Sequence, residues 1–196
     1  MHIALNGWFW DQPYTGSGQY LRHVLRALCR VAPDLRFTVV LPRHIAPPDD
    51  VPEGVAVVHA RAGRGNLGKV LFEQRAYPAA VARLKADIAH VPYWGPPLAV
   101  DARLVVSILD VVPLLIPDYA ASLGARLYTS LVTATARGAA HVLTLSNAAK
   151  SDIVQKIGYP AKGITVTHLA ADERFHPRLG AERDAAVKAK YGLPDR

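Results

Sequence analysis

Short, mostly apolar runs recur along this chain, and most lead through a polar or glycine-bearing connection into a stretch with helical spacing. Strands this apolar are buried on both faces, as in a parallel sheet covered by helices. Strands alternating with helices need crossover connections, which are right-handed. The expected strands lie at His2–Leu5, Phe37–Leu41, Val55–His59, Ile88–Val91, Leu104–Leu109, Val142–Leu145 and Ile164–Val166. Helices are expected from Ser17 to Leu28, Lys69 to Lys85 (kinked or split at Pro78), Tyr119 to Gly138, Asn147 to Ile157 and Ala181 to Tyr191. The fold class this implies is α/β: Rossmann-like, a mostly parallel sheet with helices on both faces.

The stretch from Met1 to Leu28 is the centre of the pattern. Tyr20, Leu21, Val24, Leu25 and Leu28 form a stripe at three- and four-residue spacing. Ahead of it stand Gly16, Ser17 and Gly18. A glycine turn feeding a helix N-terminus gathers unpaired N–H groups at one spot and suits a phosphate or an oxygen-rich ligand. The dinucleotide fingerprint is not met, because Leu21 stands where its third glycine would be, and no Gly-Lys-Ser/Thr follows as in a P-loop. TGSG is therefore read in two ways, as a ligand-facing turn or as a plain helix entry with Ser17 as N-cap.

In an open parallel sheet, ligands bind beyond the C-terminal strand ends. Four unusual sequences fall there: TGSG, HVPYWGPPL with Tyr93 and Trp94, LDVVPLLIP with Asp110, and LSNAAKSD with Ser146. Tyr93 and Trp94 suit stacking on a sugar or a lipid, and equally suit local packing. Asp110 and Ser146 also fit as turn and cap residues. Trp8, Phe9, Trp10 and Tyr14 make the first loop strongly aromatic, fitting an acceptor site, a membrane contact or an uncovered interface. Arg61–Gly68 reads as a mobile basic connection. Lys69, Arg75 and the arginines at 61 and 64 fit either phosphate attraction or a solvated face.

The charge of +7 suits anionic partners, but no run of five or six basic residues marks a nucleic-acid patch, and none is expected as partner. The single cysteine, Cys29, permits no internal disulfide; a small apolar role in a reducing compartment is expected. His23, His44, His59 and His176 lack ligand spacing, so no metal site is expected. Met1-His2-Ile3 enters an expected strand at once, so no signal peptide is expected. No apolar run reaches the ~18–20 residues of a membrane-spanning helix. Leu169–Pro177 has no periodicity, and a polar helix follows it.

The order TGSGQYLRHVLRAL, FEQRAYP, HVPY, LDVVPLLIP and AAHVLTLSNAAKSDIVQKIGYPAKGITVTHLAADERFHP resembles the N-terminal domain of a family 4 retaining glycosyltransferase of GT-B fold. The likeness covers nearly the whole chain and is most specific from Ser146 to Pro177. It implies a domain over 1–168 on the acceptor side, then a linker and helix over 169–196 leading to a second, donor-binding domain. It implies a nucleotide-sugar donor held mainly by that second domain, a glycan or lipid-linked acceptor, no cofactor, and a cytoplasmic site at the inner face of the membrane with peripheral contact. The product expected is a polysaccharide, lipid-linked glycan or glycolipid, and residues 1–196 alone are expected to be inactive. Carried over by position, Gly16, Ser17 and Gly18 are the glycine loop, Asp110 is the catalytic carboxylate candidate and Ser146 faces the cleft. Leu109 departs from the pattern, since many relatives have histidine there; His90 is a distant substitute. Two other classes fit the same residues: a non-catalytic Rossmann-like module for a nucleotide or sugar, and a peripheral membrane adaptor.

Overall fold

The computed structural model describes residues 1–46, 49–172 and 180–194. Seven strands form one sheet: β1 (His2–Asn6), β2 (Arg36–Pro42), β3 (Ala56–Ala60), β4 (Ile88–Val91), β5 (Arg103–Ser107), β6 (His141–Thr144) and β7 (Ile164–Val166). Their order is β3-β2-β1-β4-β5-β6-β7, and every neighbouring pair is parallel. The chain thus builds outward from β1 to one edge, returns to β4 on the other side, and builds to the opposite edge. The direction of growth reverses between β1 and β4.

The side chains of β1 and β2 divide between the two faces with period two, as the pleat requires. Ile3, Leu5, Phe37, Val39 and Leu41 pack with Leu21 and Leu25 of α1 (Gly16–Val31). Ala4 and Val40 face the other way, into a larger core with Phe72, Tyr77, Ala80 and Val81. Those four lie on a continuous helical run: α2 (Gly65–Leu71), a π-helical turn (Phe72–Ala76) and α3 (Tyr77–Leu84). Pro78 has no N–H to donate one turn back, and the chain absorbs that loss in the wider turn just before it. Along this run Leu71 is 46% exposed, while Phe72 and Glu73 are wholly buried.

Other expectations are corrected in detail. Thr15, not Ser17, caps α1, its hydroxyl accepting from the Gly18 amide at 3.1 Å. The basic connection after β3 is shorter than expected, because helix begins at Gly65. β5 ends at Ser107, two residues early. Past it come α4 (Val112–Leu115) and a 3-10 turn (Pro117–Ala120), and α5 (Leu123–Ala136) starts only where Ser122 supplies a cap, accepting from Ala125 at 3.1 Å. The expected helix after β6 is α6 (Asn147–Asp152) running into a π turn (Ile153–Ile157), closed by Gly158 in the left-handed region (φ +76°). α7 (Ala181–Tyr191) buries no residue. Residues 173–179 of the expected linker lie outside the described residues.

The aromatic first loop is packed inward. Trp8 and Trp10 are buried. Trp10 donates its indole N–H to Asp50 (3.2 Å), and the Arg22 guanidinium lies 5.0 Å over its ring while pairing with Asp50. Tyr14 alone of the four is fully exposed. Cys29 is half-buried in α1, and burial pushes its thiol pKa up, as for an unreactive thiol. His90, on β4, is wholly buried; its Nε2 meets the Ser107 hydroxyl at 2.9 Å, and that hydroxyl donates to Tyr20 on α1 at 3.1 Å. This chain links two central strands to the first helix and leaves His90 no access to a ligand.

Two measurements check this frame. A Cβ at Gly18 would lie 2.0 Å from the Gln12 carbonyl oxygen, so Gly18→Ala should cost about 1–3 kcal/mol in urea unfolding. Gly16→Ala meets nothing within 4 Å and should be neutral or stabilise by about 0.5–1 kcal/mol. For His90, burial lowers the pKa from 6.5 to about 4. The unfolded chain therefore takes up a proton near pH 6.5 that the folded chain refuses until near pH 4. Stability is unaffected above that window and falls within it, by roughly 1.4 kcal/mol per pH unit as pH drops. His90→Gln should flatten the curve of urea midpoint against pH between 6.5 and 4; an unchanged slope would contradict the assignment.

Candidate functional site

The reversal of strand order puts a crevice at the C-terminal ends of β1 and β4, because the loops that leave those strands diverge. A cavity of about 360 Å³ opens there. The loop after β1 and the first residues of α1 contribute Phe9, Thr15, Gly16 and Ser17. Tyr93 and Trp94 come from the loop after β4, and Leu109, Asp110 and Pro113 from the end of β5. Lys69 reaches in from α2. Five of the sequence-derived candidates are therefore brought together: Gly16, Ser17, Tyr93, Trp94 and Asp110. Gly18 is buried in the first turn of α1 and is not part of the cavity wall. Ser146 follows β6 and caps α6, accepting from the Ala149 amide at 3.1 Å; it is not part of the cavity wall.

The walls are fixed by polar contacts behind them. The Tyr93 hydroxyl donates to Asn6 Oδ1 (3.2 Å) at the end of β1, and its ring meets Phe9 edge-on at 4.7 Å between centroids. Trp94 Nε1 donates to the Val132 carbonyl of α5 (3.2 Å), which sets the plane of the indole. Asp110 is exposed at the rim, and its Oδ1 accepts the Val112 amide at 3.1 Å. It is thus both a turn residue ahead of α4 and a cavity residue; its Oδ2 has no protein partner among the described residues. Leu109 lines the cavity beside Asp110.

Sequence reasoning missed the buried charge pair at the floor. Lys69 Nζ lies 2.7 Å from Glu73 Oε1, with side-chain exposures of 18% and 0%. The ammonium also donates to the Tyr128 hydroxyl, which in turn donates to the Glu73 carboxylate at 3.0–3.1 Å. The rings of Tyr128, Tyr93 and Phe9 surround Nζ at 4.3, 5.0 and 5.6 Å. Burial pulls the Lys69 pKa down and pushes the Glu73 pKa up, and each partner's charge opposes the shift of the other. Burial, with the Glu73 charge behind it, holds the Tyr93 and Tyr128 phenols protonated. Gly95 is glycine for a local reason: a Cβ there would lie 2.4 Å from the Tyr93 ring and 2.5 Å from Glu73 Oε1. The signal that would have found Glu73 is its register, on the stripe of Tyr77, Ala80 and Val81, which only a satisfied acid can share.

Donor N–H groups at a helix start, a carboxylate, an ammonium and three aromatic rings line one pocket. That combination suits a polyhydroxyl ring, whose C–H faces stack on aromatics while its hydroxyls take both donors and acceptors. Among the described residues no group of three or more His, Cys, Asp or Glu could hold a metal ion. His23 instead approaches Asp172 at 3.6 Å, and His59 contacts the Ile45 carbonyl at 3.1 Å. His176 lies outside the described residues.

Comparison with known proteins places the fold. A glycosyltransferase from Rickettsia africae superposes with a TM-score of 0.54 at 12% identity, over 100% of this chain and 50% of its own. HepE of Anabaena, in complex with UDP and glucose, gives 0.58 at 18% identity, over 97% of this chain and 50% of its own. A sucrose-phosphate synthase structure from Thermosynechococcus elongatus gives 0.57 at 12% identity, over 98% and 99%. The chain thus spans about half the length of the first two, and its fold is the Rossmann-like half of a GT-B enzyme. No curated protein sequence matches it at a significant level. The family model for Glycosyltransferase Family 4 matches residues 14–175, and with most of its length inside that match, the chain belongs to glycosyltransferase family 4.

Proposed function

We propose that this chain is the acceptor-side wall of a retaining glycosyltransferase, with residues 1–168 as the acceptor domain and residues 169–196 leading to a second domain that holds a nucleotide-sugar donor. The observation that carries this reading is the cavity at the strand-order reversal, where Trp94 and Tyr93 face a family 4 chain's Asp110 and the start of α1. The half-length match to HepE, itself bound to UDP and glucose, supports a donor site outside these residues. In the proposed reaction Trp94 and Tyr93 stack on the acceptor sugar. Asp110 accepts a hydrogen bond from the attacking hydroxyl, and takes its proton or passes it to the leaving phosphate as the glycosidic bond forms. Gly16 and Ser17, at the rim, present amides toward the donor diphosphate or the acceptor. Gly18 and Ser146 serve by shaping the loop and the helix start.

The acceptor we favour is a glycan or a lipid-linked glycan, handled at the cytoplasmic face of a membrane in polysaccharide or glycolipid assembly. Trp8 and Trp10 are not available for membrane contact, being buried. Exposed Leu115, Ile116, Tyr119, Leu123 and Leu127, on the segment that follows Asp110, support such contact instead. No helix among the described residues is long and apolar enough to cross a membrane.

Ligand-observed NMR titration of residues 1–196 tests the proposal. Simple glycosides should bind with millimolar affinity, and Trp94→Ala should weaken them by roughly tenfold, the value of a lost aromatic stacking contact. UDP-glucose should bind more weakly than in any two-domain relative and should not be consumed. Sugar transfer by residues 1–196 alone, or tight UDP-glucose binding, would overturn the reading.

A further inference from the structure

We infer that the part of the acceptor entering the floor of the cavity is an uncharged, hydroxyl-bearing sugar ring, not a phosphorylated or carboxylated one. The inference rests on the acceptor-side reading and concerns what that side admits. Lys69 is the one cationic side chain in the described cavity wall, and taken alone it would invite an anion. Its charge is already matched. Glu73, wholly buried behind it, and Lys69 together carry no net charge wherever the shared proton sits. At the rim, the partial positive end of α1 (about half a charge) is outweighed by the full negative charge of Asp110. A phosphate pushed to the floor would lose its water and meet no net positive charge, with the Glu73 carboxylate just behind the ammonium.

The same geometry makes Lys69 a precise hydrogen-bond donor. Of its three N–H bonds, one goes to Glu73 and one to Tyr128. The third is left among the Phe9, Tyr93 and Tyr128 rings at the cavity wall. It suits one oxygen of a sugar ring lying against Tyr93 and Trp94. Glu73 and Tyr128 act as positioning residues: they hold the ammonium without touching the ligand, and Glu73 removes its appeal to anions.

The test compares methyl glucoside, mannoside and galactoside with their 6-phosphates, titrated into residues 1–196 at constant ionic strength and followed by NMR. At least one neutral glycoside should bind about tenfold tighter than its phosphate ester. Glu73→Gln uncovers the Lys69 charge and should narrow or reverse that ratio by at least about fivefold, chiefly by tightening the phosphate ester. Phosphate esters that bind the unaltered chain as tightly as the neutral sugars would overturn this inference and leave the acceptor-side reading standing. An unchanged ratio in a folded Glu73→Gln variant would also overturn it. If neither class binds, both readings fall. Should Glu73→Gln not fold, the ranking in the unaltered chain decides.

Discussion

A parallel sheet that grows in both directions from its first strand cannot close over the ends of its two central strands. The loops leaving β1 and β4 turn toward opposite faces, one into α1 and the other toward β5, and a gap stays open between them. Every part of the candidate site follows from that gap. Phe9 and the start of α1 are there because β1 ends there; Tyr93 and Trp94 are there because β4 does; Asp110 comes from the next strand along. The packing that holds β1 at the centre, with Leu5 on one face and Ala4 on the other, therefore also places the ligand-facing groups.

The fold was legible in the sequence because burial of the central strands on both faces leaves largely apolar runs at their positions. VVL in β2 and VV in β5 are such runs, and all seven strands fall where the runs predict, with ends shifted by one or two residues. The helix faces were less legible. On the run from Gly65 to Leu84, Leu71 is half exposed while Phe72 and Glu73 point inward. Caps were misread where two candidates stood close together: Thr15 and Ser17 both carry hydroxyls, and the one whose backbone is extended does the capping.

The site was legible by position and not by partnership. Strand-end logic reached Gly16, Ser17, Tyr93, Trp94 and Asp110, since each follows a strand. Ser146 stands outside the cavity wall because β6 lies two strands away from the reversal. Gly18 stands outside it for a different reason. The second glycine of TGSG is demanded by the Gln12 carbonyl folding back on it, so a pattern that looks like ligand binding is half ligand-facing and half internal. Glu73 and Tyr128 were missed, and Lys69 was read only as attracting phosphate or lying on a solvated face, because Tyr128 joins the pair across 55 or more residues of sequence.

The Lys69–Glu73 pair has no evident value as a stabilising element. Removing two charges from water costs several kcal/mol per ion, and well-packed apolar side chains of similar volume are commonly at least as stable in such a place. What an apolar filling would lack is a donor at the cavity wall. A lone lysine would supply one, but would swing freely and draw any anion in reach. A serine or an asparagine would supply one without the reach from α2. The carboxylate behind the ammonium answers both difficulties, since it fixes Nζ from the rear and cancels its field at distance while leaving one N–H free for short-range use. Tyr128 then satisfies the remaining acceptor capacity of Glu73, so that no buried charge in the cluster lacks a partner. On this argument the cost of burying the pair is accepted for selectivity. Glu73, one helical turn before the buried Tyr77, then belongs to the site as much as to the fold.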